Sequence, residues 1–424
     1  MKPIASSISR AIGRLSPRVA SWLFPLLIFL HNPRRLIRPE MWGEDGPVWY
    51  AQAYAFGLAS LVLPAGGYLN SVQRLVAVAV QPLPLAWAPY LFQLAAILIQ
   101  AAPAIFLVSR RMDAVWPDRT SRCLFALLYL LMPNAPETAM GLTNSQWYLA
   151  ILAFLLIVST PPASRAGRLL ETLVLFVAGI SGPFCVLLMP AALWELFVAD
   201  RTHRADALRR ASVLAATCLI QGALILGVSG ESRAALPLGA TFDLFVRIFG
   251  MISLGAEFGY WSLADFFGAG LTSVSPLPYV SAFASVALMA VALAQGPRML
   301  AQFTIFAAGV FALALAKPLI SETDPQWPLI LSPPAGNRYF LFPMIAWWGA
   351  LFVLAGSPRR WLKVTARILL AITVLFAIPR DWGDIFSNPP TDFAARAREF
   401  DRAPPGTVME FNIHPPPVRF SLTK

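Results

Sequence analysis

Long apolar stretches, repeated along most of the chain, constrain its fold more than any other feature. A helix that crosses a membrane needs about 20 mostly apolar residues, and stretches close to this length recur between short polar connections. They lie near residues 17–32, 86–108, 119–133, 146–160, 168–182, 184–200, 211–229, 277–295, 299–318, 339–356 and 362–379. The pattern predicts an all-α polytopic membrane protein with about 11 transmembrane helices.

The composition agrees with a protein that lives in a lipid bilayer. Charged residues make up 13% of the chain and hydrophobic residues 57%, whereas a soluble protein has about 25% charged residues. The net charge of +11 does not indicate a nucleic-acid partner, because the arginines form short clusters between the apolar stretches. Cytoplasmic loop ends of membrane proteins have this distribution. Arginine outnumbers lysine 29 to 4, a bias that we expect of a GC-rich bacterial genome.

The basic clusters also predict the orientation of the helices. The clusters expected on the cytoplasmic side lie at 110–122, 165–168, 201–210 and 359–367. The loops 33–85, 134–145, 229–276 and 319–338 are then periplasmic, as is the segment from Arg380. One cluster, Arg34, Arg35 and Arg38, contradicts this rule because it follows the first span on the predicted outer side. The predicted location is the bacterial inner membrane, crossed several times, with the active site facing the periplasm.

The chain is predicted to consist of a transmembrane domain and a small tail. Residues 1–379 form the transmembrane domain, in which 33–85 is a first periplasmic loop with juxtamembrane helices. Residues 380–424 form a polar, proline-rich periplasmic tail with an alternating stretch, 407–413, that fits an edge strand. The segment 241–260 is predicted to be a helix on the outer interface, since Asp243 and Arg247 share one face.

Two turns are too close to their flanking clusters to lie outside the membrane. The segment between Arg168 and Arg201 is shorter than the two spans that it must supply, so its turn at 179–184 lies at membrane depth. The same applies to the turn at 133–146, which carries Glu137, Asn144 and Gln146. Irregular backbone at that depth is tolerated where protein buries it or where it lines a wet cavity. The turns predict a polar cavity that opens to the periplasm and uses these three side chains.

The first loop carries the clearest candidates for chemistry. Glu44 and Asp45 are adjacent, and aromatic residues including Trp49 follow them. A carboxylate at the membrane surface can accept the proton of an attacking hydroxyl, which is the work of a general base, and it can also hold a metal. The alternative is a solvated pair that starts a helix. The aromatic residues fit an interfacial belt as well as a platform for a sugar.

Basic side chains near the predicted outer surface are candidates for binding a phosphate. Arg338 and Tyr339 lie in a late periplasmic loop, and a guanidinium binds phosphate with two parallel hydrogen bonds. Arg74 and Lys317 are further candidates, and for each of these basic groups the alternative is an anchor in the lipid headgroups. The cysteines lie in or beside apolar stretches and the histidines are scattered, so we predict no metal site and no cofactor.

Three short stretches and the order of the parts resemble a known enzyme family. The stretches are Gly66–Arg74, Thr143–Trp147 and Ser181–Pro183. With a first span, a long acidic loop, a helical bundle, a late Arg-Tyr and a tail, the chain resembles the GT-C superfamily of integral-membrane glycosyltransferases. Members of this family use polyprenyl-phosphate sugars as donors. The resemblance extends over the architecture of nearly the whole chain.

The resemblance implies an activity and roles for particular residues. Asp45 would be the general base, although the adjacent Glu44 leaves the choice between the two open. Arg338, with Arg74, would bind the donor phosphate, and no metal is implied. The expected reaction is an inverting transfer of a sugar to a cell-envelope glycan or lipid acceptor. A transporter or flippase of a lipid-linked sugar and an O-antigen-type polymerase are the alternatives. A membrane O-acyltransferase is less suited, because only His414 is predicted on the outer side and away from interfaces.

Overall fold

The computed structural model describes residues 16–227, 236–268, 275–321, 323–332, 336–383 and 389–424. Helices form nearly all of the regular structure. In chain order they are α1 Pro17–His31, α2 Arg34–Ile37, α3 Ala51–Phe56, α4 Ser71–Val80, α5 Ala88–Leu107, α6 Arg119–Leu130, α7 Ser145–Val158, α8 Arg165–Gly179, α9 Phe184–Val198, α10 Arg204–Gly227, α11 Phe242–Gly268, α12 Leu277–Gln295, α13 Arg298–Ala316, α14 Gln326–Ile330, α15 Leu341–Ala355, α16 Arg360–Ile372, α17 Ile378–Arg380 and α18 Phe393–Arg402.

Short polar side chains set the start of several helices. The side chains of Ser16, Asp118 and Ser164 accept hydrogen bonds from backbone N–H groups in the first turns of α1, α6 and α8, at 3.0–3.2 Å. These N–H groups have no partner inside the helix, so a side-chain acceptor stabilises the helix end.

Several helices have the length and composition of membrane spans. Within the described residues, six satisfy both criteria: Leu85–Leu107, Arg204–Gly227, Leu277–Gln295, Arg298–Ala316, Asn337–Ala355 and Arg360–Arg380. The fold is therefore that of an all-α membrane protein, as the apolar stretches predict.

The prediction of about 11 spans is wrong. The remaining predicted segments are helical, but the helices α1, α6, α7, α8 and α9 contain only 12 to 15 residues. At 1.5 Å per residue, 15 residues extend about 22 Å, which is less than the roughly 30 Å of a hydrocarbon core. The apolar character of the sequence continues past these helix ends into turns, such as the one that follows Leu130. A hydropathy pattern does not record where the backbone stops being helical.

The helices α7 and α15 form the centre of the bundle. Almost every residue of α7 is buried, as are most residues of α15. Aromatic rings join the two helices to α13: the rings of Trp147 and Phe342 stack at 5.3 Å, and Phe306 meets Phe342 edge-on at 4.9 Å. Aromatic pairs in these geometries add to the stability gained from burial alone.

The helix α11 is long but broken. It covers the segment predicted to be an interfacial helix, is not among the spanning helices, and contains the predicted pair of Asp243 and Arg247 at 3.4 Å. Gly259, with φ of 76°, interrupts its backbone. The carboxylate of Asp381 accepts hydrogen bonds from the N–H groups of Tyr260 and Trp261 at 2.6 and 3.2 Å. The break is therefore capped by a side chain from the end of the bundle.

The turn at 179–184 is buried by protein. Ser181 is inaccessible and pairs with Asn70 of the first loop. The side-chain amide of Gln221 accepts from the N–H of Leu69 at 2.9 Å and donates to the carbonyl oxygen of Gly182 at 3.1 Å. An irregular turn among apolar helices is tolerated where protein buries it or where it lines a wet cavity. This turn is of the first kind, because neighbouring protein groups form hydrogen bonds with its backbone.

The tail packs on the first loop. The strands β1 Val408–Asn412 and β2 Arg419–Thr423 form an antiparallel hairpin, which confirms the strand predicted at 407–413. Rings of the hairpin and of α18 share a hydrophobic cluster with Met41, Trp49 and Tyr50 of the first loop. The side chain of Glu40 accepts from the N–H of Thr391 at 3.2 Å. Two distant parts of the sequence thus form one structural unit.

Candidate functional site

A polar cavity of about 710 Å³ lies where the first loop, the irregular stretch 133–144 and the tail meet. Its volume is in the range of small-molecule sites. The charged side chains in its lining are Arg34, Arg35, Arg38, Glu40, Asp45 and Glu137. Another cavity, of about 340 Å³, is lined almost entirely by apolar side chains such as Leu107 and Phe125. It offers little for acid–base chemistry, so the polar cavity is the candidate site.

Asp45 is held in the wall of this cavity by two hydrogen bonds. It ends a 3-10 turn, Gly43–Asp45, and is 2% exposed. The backbone N–H of Trp42 donates to Oδ2 at 3.1 Å, and the hydroxyl of Thr143 donates to Oδ1 at 3.0 Å. Burial raises the pKa of Asp45 to about 7, and these hydrogen bonds oppose the rise. A carboxyl with this pKa can exchange a proton near neutral pH.

Glu44 occupies a different environment although it is the next residue. Its side chain is exposed, and it does not line the cavity. Gly46, which follows Asp45, packs so closely on the ring of Phe420 that a side-chain Cβ would clash there. The turn is therefore fixed against the tail with one carboxylate inside and the other outside.

Two arginines in the cavity are not engaged by the protein. Arg34 and Arg38 are exposed, and across the described ranges neither guanidinium has a hydrogen bond or an ion pair. Arg35 differs, because its guanidinium donates to the carbonyl oxygens of Pro136 and Ala139. In the sequence these residues are visible only as an exception to the predicted orientation. That exception, a basic cluster that follows the first apolar helix, was the signal available for them.

Arg338 is already paired. Its guanidinium forms an ion pair with Glu137 and donates to the carbonyl oxygen of Leu319. It also lies 4.8 Å from the ring of Tyr339, whose hydroxyl accepts from the N–H of Leu319 at 2.8 Å. Neither Arg338 nor Tyr339 lines the cavity, although Glu137 does. The arrangement makes Arg338 a counter-ion for Glu137 rather than a free phosphate ligand.

Arg74 is also placed away from the cavity. It is fully buried, and no nitrogen of its guanidinium has a hydrogen-bond partner in the described part of the chain. Burial lowers its pKa to about 10. Its guanidinium carbon lies 5.3 Å from the centre of the Trp49 ring, a distance typical of a cation–π contact. Trp49 is buried too, and its indole N–H donates to the hydroxyl of Thr143 at 3.0 Å.

The other predicted binding residues are divided between the cavity and its surroundings. Asn144 lines the cavity, and its amide donates to the backbone carbonyl oxygen of Glu137 at 2.8 Å. Gln146 is buried beside it and pairs with Gln73. Lys317 is exposed at the end of α13 and does not line the cavity. The structure thus brings together Asp45, Glu137 and Asn144, with Trp49 and Gln146 just behind them.

His414 of the tail joins the cavity, which the sequence analysis did not predict. It is 4% exposed, and its backbone pairs with the first loop: its N–H donates to Met41 at 3.1 Å and its carbonyl oxygen accepts from Gly43 at 2.6 Å. Its Nδ1 is buried without a hydrogen-bond partner among the described residues. No local pattern marks this histidine, because the docking of the tail alone brings it to the site.

The described residues contain no group of three or more His, Cys, Asp and Glu side chains placed to hold a metal ion. The cysteines Cys123, Cys185 and Cys218 are free thiols. Comparison of the chain with protein-family models, with curated proteins and with solved structures gave no match.

Proposed function

We propose that this protein transfers a sugar from a polyprenyl-phosphate donor to a hydroxyl group of a cell-envelope glycan or lipid. One observation carries the proposal: a single polar cavity holds a buried carboxylate with a pKa of about 7 and two arginines without partners. A base and a site for an anion are the two elements that such a transfer requires. A lipid-linked donor also accounts for a sugar-transferring enzyme among apolar helices.

The proposed reaction is a single displacement at the anomeric carbon. The acceptor oxygen forms the new bond to this carbon, and its proton passes to a carboxylate oxygen of Asp45. The bond between the anomeric carbon and the phosphate oxygen breaks, and polyprenyl phosphate leaves with the electron pair. The configuration at the anomeric carbon is inverted. Asp45 afterwards returns the proton to water.

The donor phosphate is assigned to Arg34 and Arg38, and not to Arg338 as the family resemblance implies. A guanidinium that already binds Glu137 would have to give up that ion pair before binding a phosphate. Arg34 and Arg38 would lose no such contact, and charge-assisted hydrogen bonds to phosphate are among the strong ones. The cavity would face the periplasm of a bacterial inner membrane, and these arginines would lie at the lipid headgroups.

A turnover assay tests the proposal. Detergent-purified protein is incubated with a panel of polyprenyl-phosphate sugars, and the release of polyprenyl phosphate is measured for the wild type, Asp45→Asn and Glu44→Gln. We expect Asp45→Asn to lose about 10²–10⁴-fold in rate while it still binds the donor. Glu44→Gln, which alters the neighbouring carboxylate, is expected to keep the wild-type rate.

Two results would contradict the proposal. If no donor in the panel binds, the protein does not use a polyprenyl-phosphate sugar. If the wild type and Asp45→Asn have equal turnover, Asp45 is not the general base. The rate of the wild type is expected to rise with pH through about 7, because Asp45 acts in its deprotonated form.

A further inference from the structure

The carboxylate of Asp45 stands at the end of a short chain of hydrogen bonds. The indole N–H of Trp49 lies 3.0 Å from the hydroxyl oxygen of Thr143, and that oxygen lies 3.0 Å from Oδ1 of Asp45. The other carboxylate oxygen, Oδ2, accepts from the backbone of Trp42. Both oxygens of Asp45 therefore accept hydrogen bonds, the backbone N–H of Thr143 also lowers the pKa of this carboxyl, and all of these donors are electrically neutral.

The chemistry of these groups fixes the direction of the chain. An indole N–H can only donate, so the hydroxyl oxygen of Thr143 accepts from Trp49. The hydroxyl has a single hydrogen, and an ionised carboxylate can only accept. The hydrogen of Thr143 must therefore point to Asp45. Without the indole, a hydroxyl in this position could rotate toward other acceptors.

The backbone and the ring in this chain are held from behind. The carbonyl oxygen of Thr143 accepts from the side-chain amide of Gln73 at 3.0 Å, and Gln73 is fully buried. The ring of Trp49 is covered on one face by the guanidinium of Arg74. Since each group has a defined neighbour, the hydroxyl is oriented before any ligand arrives.

We infer that Thr143 is a positioning residue for the proposed reaction: oriented by Trp49, its hydroxyl holds Asp45 as a carboxylate aimed into the cavity. The inference rests on the proposed function for its role in turnover, whereas the hydrogen bond itself can be tested without turnover. Thr143 does not need to touch the substrate. Its contribution is to the charge state and the direction of the base.

Other charged or titratable residues also lie around Asp45, and of these the neighbouring Glu44 raises its pKa. They are Glu44 on the same turn, Arg34, Arg35, Arg38 and Glu40 on the preceding segment, Glu137 on the stretch 133–144, His414 on the tail and Arg74 behind Trp49. The substitution Thr143→Val removes the hydroxyl, keeps the shape of the side chain and changes none of these charges. A shift in the pH dependence would therefore report the hydrogen bond.

The test compares the pH dependence of turnover in Thr143→Val, Thr143→Ser and Trp49→Phe with the wild type. A donor to the charged form lowers the pKa of a carboxyl group. The turnover rate is expected to rise with pH as Asp45 loses its proton. We expect Thr143→Val to shift this rise to a pH about one unit higher. Thr143→Ser keeps the hydroxyl, so its rate is expected to rise at the same pH as that of the wild type. Trp49→Phe keeps an aromatic ring but not the N–H, and its rate is expected to rise at a higher pH than that of the wild type, with a smaller shift than in Thr143→Val.

A second measurement is independent of activity. The difference in unfolding temperature between each protein and its Asp45→Asn derivative is followed from pH 4 to 9. This difference changes between the unfolded and the folded pKa of Asp45, so the pH at which it stops changing reports the folded pKa. Thr143→Val should raise this pH and Thr143→Ser should not. An unchanged value in Thr143→Val, or an equal shift in Thr143→Ser, overturns the inference even if the wild type is an active transferase. A shift in the expected order without any turnover supports the hydrogen bond and contradicts the proposed function.

Discussion

Two groups of charged residues lie at opposite ends of α7, and they differ in how many of their charges are ion-paired. Near its last residue, the buried carboxylate of Glu171 is bound by three guanidiniums, those of Arg111, Arg209 and Arg210. Arg210 also donates to the carbonyl oxygen of Ser159, which follows α7, at 2.9 Å. Near its first residue is the cavity, about 20 Å away along a helix of 14 residues.

The comparison separates charges that serve the fold from charges that are available to a ligand. Glu171 of α8 pairs with Arg209 and Arg210 of α10 and with Arg111, which follows α5 and also donates to Ser159 after α7, so the cluster ties α8 and α10 to the ends of α5 and α7. In the cavity, Asp45 has only neutral donors, while Arg34 and Arg38 have no partner among the described residues. Buried ions are normally paired because desolvation is costly. Among the described residues that line the cavity, Glu137 is paired with Arg338, whereas the buried Asp45 and the exposed Arg34 and Arg38 have no ion-pair partner and are available to a ligand.

The largest effect is expected at the paired end. Glu171→Ala would leave three arginines facing one another without their carboxylate, and removal of one partner of a buried ion pair costs about 3–5 kcal/mol. Chemical or thermal unfolding in detergent would measure the loss. Glu410→Gln is the control, because Glu410 pairs with Arg419 on the exposed hairpin, where such pairs contribute below about 1 kcal/mol. Equal losses in the two variants would remove the distinction between the regions.

A smaller effect, with a defined pH dependence, is expected from Asp45. An unfolded aspartate has a pKa of about 4, and burial raises the folded value to about 7. Between these values the folded state binds more protons, so the stabilisation present below pH 4 is lost as the pH rises through about 7. Asp45→Asn does not titrate and should become more stable relative to the wild type over this interval.

The expected change in relative stability follows from the difference between the folded and unfolded pKa values of Asp45. Each pKa unit corresponds to about 1.4 kcal/mol, so we expect the relative stability to change by a few kcal/mol between pH 4 and pH 8. Unfolding temperatures of the two proteins at matched pH would measure it. A difference that stays constant with pH would show that Asp45 titrates normally, and the contrast with the paired carboxylate of Glu171 would then weaken.

The smallest effect is expected from the arginines that have no partner. Replacing Arg34 and Arg38 together by alanine should weaken binding of a polyprenyl-phosphate donor by about 10- to 100-fold, since each charge-assisted hydrogen bond contributes more than an ordinary one. Stability should hardly change, because no side-chain hydrogen bond or ion pair of the described structure is lost. Lys317→Ala is the control, an exposed cation outside the cavity. Equal weakening in both would place the phosphate elsewhere.

The sequence predicted the helices well and their ends poorly. Each predicted apolar segment contains a helix, because local hydropathy favours it even where a proline lies inside the helix, as at Pro103 and Pro190. The number of spans was overestimated because apolar residues continue into turns, as after Leu130 and after Gly179. Whether such residues are helical is decided by tertiary contacts, for example those of Gln221 with the turn at Gly182.

The candidate site was predictable only where its members are local. Asp45, which lines the cavity, was a candidate from the sequence because a carboxylate among aromatic residues is unusual in an apolar chain. His414 could not be found, since its position depends on the docking of the tail. The ion pair of Arg338 with Glu137 was not predicted, because the two residues are distant in sequence. Arg34 and Arg38 were noticed in the sequence as an exception to the predicted orientation. The structure adds that both residues line the polar cavity.

The pairing of His414 with the first loop has a consequence for the biogenesis of the protein. The segment 41–46 is translated before most of the described helices, while its partner, His414, is translated after all of them. During synthesis, Gly43 therefore lacks its hydrogen bond to His414 and Gly46 lacks its contact with Phe420 until the tail has been translated. The site becomes complete only in a final closing step, so a nascent protein with all of its helices inserted is still without its cavity.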